Sequence, residues 1–197
     1  MAVLKVWGFI LLSLSSWSCA AGCTWMKTQN RASLSSFQVL SNSSISHLEQ
    51  ACTNSAPTTA TATAKLSVEF PHKHYNRMFQ LQAQDHILFI LRTLKSIMRL
   101  YSGKYEKLDC NQHQLQIFLL DVHRQILELE QCAKNIIATE EQKKISKKIE
   151  MHFRSLVSHL KTTDYSPQGW DEITEVVLKH LRRLDLLASK TKIDLQD

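Results

Sequence analysis

Residues 81–101 read LQAQDHILFILRTLKSIMRLY, and this stretch decides the fold class. Apolar side chains recur in it at intervals of three and four residues, a spacing that places them on one face of an amphipathic α-helix. The Ser102-Gly103 pair that follows predicts the end of this helix. The residues predicted to face a core are Ile87, Leu88, Ile90, Leu91, Leu94, Ile97, Met98 and Tyr101.

The same periodicity predicts four more helices around this one. The first is expected over Thr24–Leu40 and to end in the run Ser41–Ser44, because short polar side chains compete for backbone hydrogen bonds. Farther along the chain, Thr139 and Ser166 are predicted as N-caps, the second of them followed by Pro at the first turn. The five predicted helices cover residues 24–40, 81–101, 111–132, 139–161 and 166 onward, and they form an all-α bundle.

Composition supports a helical protein. The chain has 4 Gly and 3 Pro in 197 residues, whereas average usage would give about 14 and about 10. A β-sandwich or an open α/β fold needs more of these turn residues. With 44% hydrophobic and 21% charged residues the chain fits one globular domain, and its net charge of +6 is too small to predict a nucleic-acid partner.

The N-terminal segment has the features of a secretory signal peptide. Lys5 precedes the apolar run Val6–Leu14, and small residues follow up to Gly22. The apolar run is shorter than the roughly 20 residues that span a bilayer. We therefore expect residues 1–22 to be removed, with cleavage one or two residues earlier as the alternative. Residues 23–197 are expected to form a single domain, and the mature protein to be secreted without membrane insertion.

Four cysteines remain after that removal, and two disulfides are predicted for them. No Cys-x-x-Cys or His-Glu-x-x-His spacing points to a metal site. The long connection expected between the first two helices, from about residue 42 to about residue 79, makes those helices parallel, and a short loop makes the third antiparallel to both. The third helix spans about 33 Å, far beyond the Cα separation of a disulfide, about 7 Å at most. This topology pairs Cys23 with Cys132 and Cys52 with Cys110.

Several strings, in order along the chain, resemble the teleost type I interferons. The opening Cys23–Met26 (CTWM) resembles their Cys-x-Trp start, and Phe70–Tyr75 (FPHKHY) resembles the Phe-Pro-x-x-x-Tyr segment of their crossover. Met151–Leu156 (MHFRSL) is similar to an aromatic-basic-basic-Leu pattern in their fourth helix. Their terminal signature is similar to Tyr165–Glu172 (YSPQGWDE) followed by His180–Ala188 (HLRRLDLLA).

Two departures from the family pattern lie near Trp170. Thr174 stands where the family often has an Arg directed at the receptor. Gln168 and Gly169 stand where four-cysteine members commonly have a Cys before the Trp, while Cys52 and Cys110 are additional. These differences bear on the interferon subgroup and its receptor pair more than on the fold.

The resemblance implies a class II helical cytokine that bridges two different chains of a class II cytokine receptor and induces an antiviral state through JAK-STAT signalling. It implies a monomer without a cofactor. No nucleophile elbow, phosphate-binding Gly loop or metal motif occurs in the sequence, so no enzymatic activity is expected. One receptor chain is expected to contact the first helix, the crossover and the last helix, and the other the second to fourth helices. Basic side chains off the core stripe are the candidate contacts for receptor binding: Lys27, Arg31, Lys179, Arg182 and Arg183.

Alternatives to this interpretation stay open on the sequence alone. Another class II helical cytokine is one, and a secreted carrier whose amphipathic helices bind lipid or a small apolar ligand is the other. The lysine run 143–148 predicts a solvated face or, alternatively, a weak contact with heparan sulfate. Asn42 lies in the chain's one Asn-x-Ser sequon and is a candidate for N-glycosylation.

Overall fold

The computed structural model describes residues 23–196 except 29, 31, 53–67, 103–107 and 109. The predicted signal segment 1–22 lies outside the described residues. A 3-10 turn at Thr24–Met26 precedes the first α-helix, and no strand occurs in the described part of the chain. The α-helices are α1 Ser36–Cys52, α2 His72–Met78, α3 Ala83–Tyr101, α4 Gln112–Ala133, α5 Glu140–Thr162 and α6 Pro167–Asp194.

The predicted all-α bundle is confirmed. Each of the four later long helices begins within two residues of its predicted start, and the three with a predicted end finish within two residues of it. Their predicted caps form as expected. The side chain of Thr139 accepts from the Gln142 backbone N–H at 3.1 Å, and that of Ser166 accepts from the Gly169 N–H at 3.2 Å. The additional helix, α2, is a short segment within the connection between α1 and α3.

The prediction for the first helix was wrong in position. The chain forms only the short turn at Thr24–Met26 and begins α1 at Ser36, so the run Ser41–Ser44 lies inside the helix rather than at its end. A capping box sets the start: the Ser35 hydroxyl accepts from the Gln38 N–H, while the Gln38 side chain accepts from the Ser35 N–H, both at 3.2 Å.

The serines are compatible with the helix because their hydroxyls have partners within the bundle. Ser44 donates to the carbonyl of Leu40 one turn earlier at 2.8 Å, and it accepts from the Gln125 amide of α4 at 2.7 Å. These bonds satisfy side chains that would otherwise compete with the helical backbone. Burial against a neighbouring helix thus overrides the local preference of serine for helix ends.

The connection after α1 is also shorter than predicted, because α1 runs on to Cys52 and α2 begins at His72. Phe70, just before α2, stacks on Tyr75 with 5.5 Å between ring centroids. Tyr75 is fully buried. These aromatic contacts fix the end of the connection to the bundle before α3 starts.

Contacts between the long helices establish their directions. The end of α1 meets the start of α4, where the Asn111 N–H donates to the Ala51 carbonyl at 2.8 Å. The start of α3 meets the start of α5, where buried Asp85 accepts from the backbone and hydroxyl of Thr139. Tyr101 at the end of α3 bonds Thr174 near the start of α6 at 3.2 Å. Helices α1, α3 and α5 therefore run one way, and α4 and α6 run the other.

Two disulfides close the ends of this arrangement. Cys23 is bonded to Cys132 with a Cα separation of 4.8 Å. Cys52 is bonded to Cys110 with a Cα separation of 4.5 Å. The two bridges lie at opposite ends of α4, as the predicted antiparallel topology requires.

Candidate functional site

The outward face of α6 carries a strip of basic and aliphatic side chains that we call the α6 strip. Its members recur at intervals of three, four and seven residues and therefore lie on one side of the helix, over a length of about 21 Å. Two of them are large aliphatic side chains in water: Leu186 is 52% exposed and Ile193 is 48% exposed. The α6 strip consists of Lys179, Arg182, Arg183, Leu186, Lys190 and Ile193.

Two predicted arginines in the strip reach in different directions. The Arg182 guanidinium donates to the Glu49 carboxylate of α1 at 2.5 Å. The Arg183 guanidinium donates to the Asn76 side chain of α2 at 3.2 Å. Lys179 is exposed beside Arg182 and lines, with Glu49, a depression between α1 and α6. The strip therefore joins surfaces of α1 and α2 on either side of α6.

Lys27 does not join these basic residues. Its neighbour Thr28 accepts a bond from the Gln196 side chain at 2.7 Å, which places the segment beside the end of α6. Position 196 lies about 20 Å along the chain from Arg182 at helical rise. Arg31 lies outside the described residues. The predicted set thus separates into a group near the middle of α6 and a residue beside the C-terminal end of that helix.

Aliphatic residues on this surface were missed by the sequence analysis, which considered only charges. Val39 of α1 is 58% exposed. The Gln38 amide beside it donates to the Ser189 hydroxyl of α6 at 2.8 Å, which places that turn of α1 next to the α6 strip. The seven-residue spacing of Leu186 and Ile193, off the core stripe, was the available signal.

A buried aromatic and histidine cluster supports the α6 strip from below. The Tyr75 hydroxyl and His180 Nδ1 form a 2.7 Å hydrogen bond, and the Phe70 ring lies 4.7 Å from the His180 ring. Burial holds the pKa of His180 well below its ordinary value, and the charge of nearby His152 lowers it further. Burial and the neighbouring His74 likewise lower the pKa of His152 to about 4. Both imidazoles are therefore neutral at pH 7.

The departures near Trp170 have structural reasons. Thr174 is buried and bonds Tyr101, so this position is in the core and not on an outward face. A β-carbon on Gly169 would overlap the hydroxyl of Thr163, the residue that follows α5. The absence of a side chain at 169 therefore permits the close approach of α5 and α6 at their connection.

The lysine run on α5 divides between two rows of the helix. All four lysines of the run are exposed. Lys143 and Lys147 line a depression between α5 and α3 that also includes Arg92. Lys144 and Lys148 follow them by one residue and point about 100° away around the helix. No group of three side chains suited to hold a metal ion occurs within the described ranges.

Comparison with known proteins agrees with the architecture. Residues 26–191 match the family described as interferon alpha/beta domain. Interferon a3 of Oncorhynchus mykiss is 27% identical over 124 residues, which make up 62% of this chain and 67% of that protein. The solved structure of zebrafish interferon 1 superposes with a TM-score of 0.67 at 26% identity, covering 79% of this chain and 96% of that one.

The fold is that of a helical cytokine. The chain belongs to the interferon alpha/beta family, and its relatives identify it as a teleost type I interferon. The predicted resemblance is thus confirmed, and its relatives are cytokines rather than enzymes. None of the helices, within the residues that the structure describes, has the length and apolarity to cross a membrane.

Proposed function

We propose that this protein is a secreted type I interferon that binds two different chains of a class II cytokine receptor and induces an antiviral state through JAK-STAT signalling. Family membership over residues 26–191 supports this assignment. The single structural observation that carries it is the α6 strip, where exposed aliphatic side chains lie among basic ones. Such a surface fits a partner that buries the aliphatic groups and presents acidic groups around them.

The first receptor chain is proposed to bind the α6 strip together with the adjoining surfaces of α1 and α2. These three elements already contact one another through Arg182 with Glu49 and Arg183 with Asn76. A rigid support reduces the entropy lost on binding, and the buried cluster under His180 provides it. The second chain is proposed to bind a surface made by α3, α4 and α5, and the cytokine is proposed to act as a monomer.

The receptor assignment is tested with an interferon-responsive reporter in fish cells, with and without the two receptor chains. We expect induction at nanomolar or lower protein concentration that disappears when either chain is deleted. Activity that persists after deletion of both chains would refute the proposal. Liposome binding without reporter induction would instead favour a lipid carrier.

The location of the first site is tested by a triple variant, Lys179→Ala, Arg182→Ala and Arg183→Ala. We expect about a tenfold or greater loss of potency, because basic side chains at receptor interfaces contribute to both association rate and affinity. The control is Lys134→Ala with Lys144→Ala and Lys148→Ala, which removes the same charge from exposed positions outside the first site. Because these positions lie near the surface proposed for the second chain, binding to the isolated first receptor chain is measured alongside potency. Equal losses of that binding would mean that total charge, and not the α6 strip, sets the affinity for the first chain.

We also propose export through removal of residues 1–22 and N-glycosylation at Asn42. Asn42 is exposed on α1, so a glycan there would extend into solvent. Expression in cultured fish cells should give a secreted chain beginning at or near Cys23. Its mass should fall on endoglycosidase treatment, and an Asn42→Gln variant should show no such change.

A further inference from the structure

A second charged surface lies between α3 and α5, within the region proposed for the second receptor chain, and neither the α6 strip nor the bundle core accounts for its charge. Two adjoining depressions of about 290 and about 380 Å³ share the lining residues Glu150 and Arg154 and form one groove. We call it the α3–α5 groove. The basic residues that line it are Arg92, Arg99, Lys143, Lys147, Arg154 and Lys161.

The basic residues from α5 form a straight row. Lys143, Lys147, Arg154 and Lys161 are separated by four, seven and seven residues, and at 100° per residue all four fall within about 40° of one line along the helix. The row extends over about 27 Å. It therefore presents four positive charges along one edge of the groove.

Arginines of α3 face that row from the other edge. Arg92 and Arg99 are seven residues apart on α3 and lie on the same side of that helix. Because α3 and α5 run parallel, the two rows of charge run along the groove together. A long ligand lying in the groove would meet basic groups on both sides.

Acidic groups offset little of this charge. Among the described residues that line the groove, Glu150 is the one carboxylate. Lys143 additionally pairs with Glu140 at 2.7 Å on the exposed surface. A partner with closely spaced negative charges would find six basic groups along the groove against these two carboxylates.

The apolar part of the groove argues against two other classes of polyanionic or acidic partner. Its floor includes Leu100 and Phe153, which are 6% and 5% exposed and already packed in the core. Met151, on the rim, is the large apolar side chain that is exposed there. An acidic protein would need apolar anchor residues to bury, and a single-stranded nucleic acid would need exposed aromatic rings on which its bases stack.

We propose that the α3–α5 groove binds a linear polysaccharide densely substituted with sulfate groups. Guanidinium and ammonium groups form charge-assisted hydrogen bonds with oxyanions, and regular rows of them match a chain of regularly repeated sulfates. Binding displaces the counterions condensed along the polyanion, so affinity depends steeply on salt. The glycan site is separate from the α6 strip, so the polysaccharide and the first receptor chain can be bound at the same time.

The test uses heparin as the probe and two matched variants of the full-length mature protein. The groove variant is Arg154→Gln with Lys161→Gln. The control is Lys144→Gln with Lys148→Gln, which removes the same charge from the same helix at exposed positions off the groove row. Circular dichroism and thermal unfolding establish that both variants fold.

Binding to immobilised heparin is measured at several NaCl concentrations. For the groove variant we expect a slope of log affinity against log salt reduced by about a third, because two of six charges are removed. It should also elute from heparin at lower salt than the control, which should behave like the parent protein. Fully desulfated heparin should not compete.

Three results would overturn the proposal. Equal weakening of both variants would show a diffuse charge effect with no groove site. Competition by single-stranded DNA as strong as that by heparin, at equal charge, would show that sulfated glycan is not the preferred polyanion. Unchanged heparin binding with lost reporter activity in the groove variant would assign the groove to a receptor chain. Because the groove lies within the surface proposed for the second receptor chain, glycan binding is judged from the heparin measurements alone and not from reporter activity.

Discussion

The α6 strip and the α3–α5 groove are both basic, but they differ in what accompanies the charge. On the strip, two aliphatic side chains are about half exposed among the basic ones, and acidic Glu49 and Glu175 line the adjoining depression between α1 and α6. In the groove, the apolar floor is already buried and Glu150 is the one lining carboxylate among the described residues.

This difference indicates two kinds of partner. Exposed aliphatic groups among mixed charges favour a folded protein, since burying those groups supplies affinity while the charges supply orientation. Rows of one sign of charge over a buried floor favour a flexible polyanion, whose binding depends on counterion release. Positive charge is therefore proposed to serve different chemistry at the two surfaces.

The largest difference between the two surfaces is expected in how steeply their binding depends on salt concentration. Raising NaCl from 50 to 200 mM should weaken heparin binding by about 10³-fold if six charges take part. Binding to the isolated first receptor chain should weaken by less than about tenfold, because the aliphatic contribution does not depend on counterions. Parallel titrations of the parent protein measure both, and equal salt dependence would remove the distinction.

Replacing an aliphatic residue of the α6 strip should have the next largest effect. Leu186→Asp should lower reporter potency by about 30-fold, because a buried leucine contributes roughly 2 kcal/mol. Ile137→Asp is the control, since Ile137 is 87% exposed in the connection between α4 and α5. Comparable losses from the two substitutions would mean that Leu186 has no special place in the receptor contact.

Acid should destabilise the buried cluster that supports the α6 strip, which lies apart from the groove. The pKa of His152 falls from the ordinary 6.5 to about 4 in the folded protein. Its contribution to stability is therefore complete above pH 6.5 and is lost as the pH falls toward 4, because the unfolded chain binds the proton more readily. Between pH 7 and pH 5 we expect a loss of about 2 kcal/mol.

Thermal or denaturant unfolding across this pH range measures the effect, and His152→Gln should reduce the pH dependence of the unfolding free energy. Some pH dependence should remain in that variant, because the pKa of His180 is also lowered by burial. Heparin binding by the folded protein should not change over the same range, since neither His152 nor His180 lines the groove. An unfolding free energy that is constant from pH 7 to 5 would show that the buried imidazoles are not held neutral.

The smallest effect is expected for Arg182 alone. Arg182→Ala should lower stability by less than about 1 kcal/mol, because its ion pair with Glu49 is exposed. Potency should fall by about fivefold or less if the guanidinium must leave Glu49 before it contacts the receptor. Glu49→Gln should then raise potency slightly, and a loss with that variant would instead assign the ion pair itself to the binding surface.

The sequence predicted the later helices well because their signals are local. The apolar spacing in 81–101 and the caps at Thr139 and Ser166 depend on side chains within a few residues of one another. The capping box Ser35–Gln38 was an equally local signal that could have placed the start of α1. The apolar residues near Thr24–Met26 and the serine run together favoured a different position.

The functional surfaces were predictable only in part. Lys179, Arg182 and Arg183 could be placed on the outward face of a helix by spacing alone, but Arg31 lies outside the described residues and Lys27 lies far from the others. The exposed aliphatic residues could have been found by the same spacing. That Arg92 and Arg99 lie opposite the α5 row could not, because the two helices come together only in the folded bundle.

The sequence by itself determined the helical class, the cysteine pairing expected from the loop lengths, and the family resemblance. These depend on periodicity and on short motifs, which are properties of neighbouring residues. Only the tertiary structure decided that the Ser41–Ser44 run continues α1, that Thr174 is buried against Tyr101, and that six basic residues from two helices line one groove. Each of these follows from contacts between residues distant in the chain, whose burial and charge outweigh the local preference of any single segment.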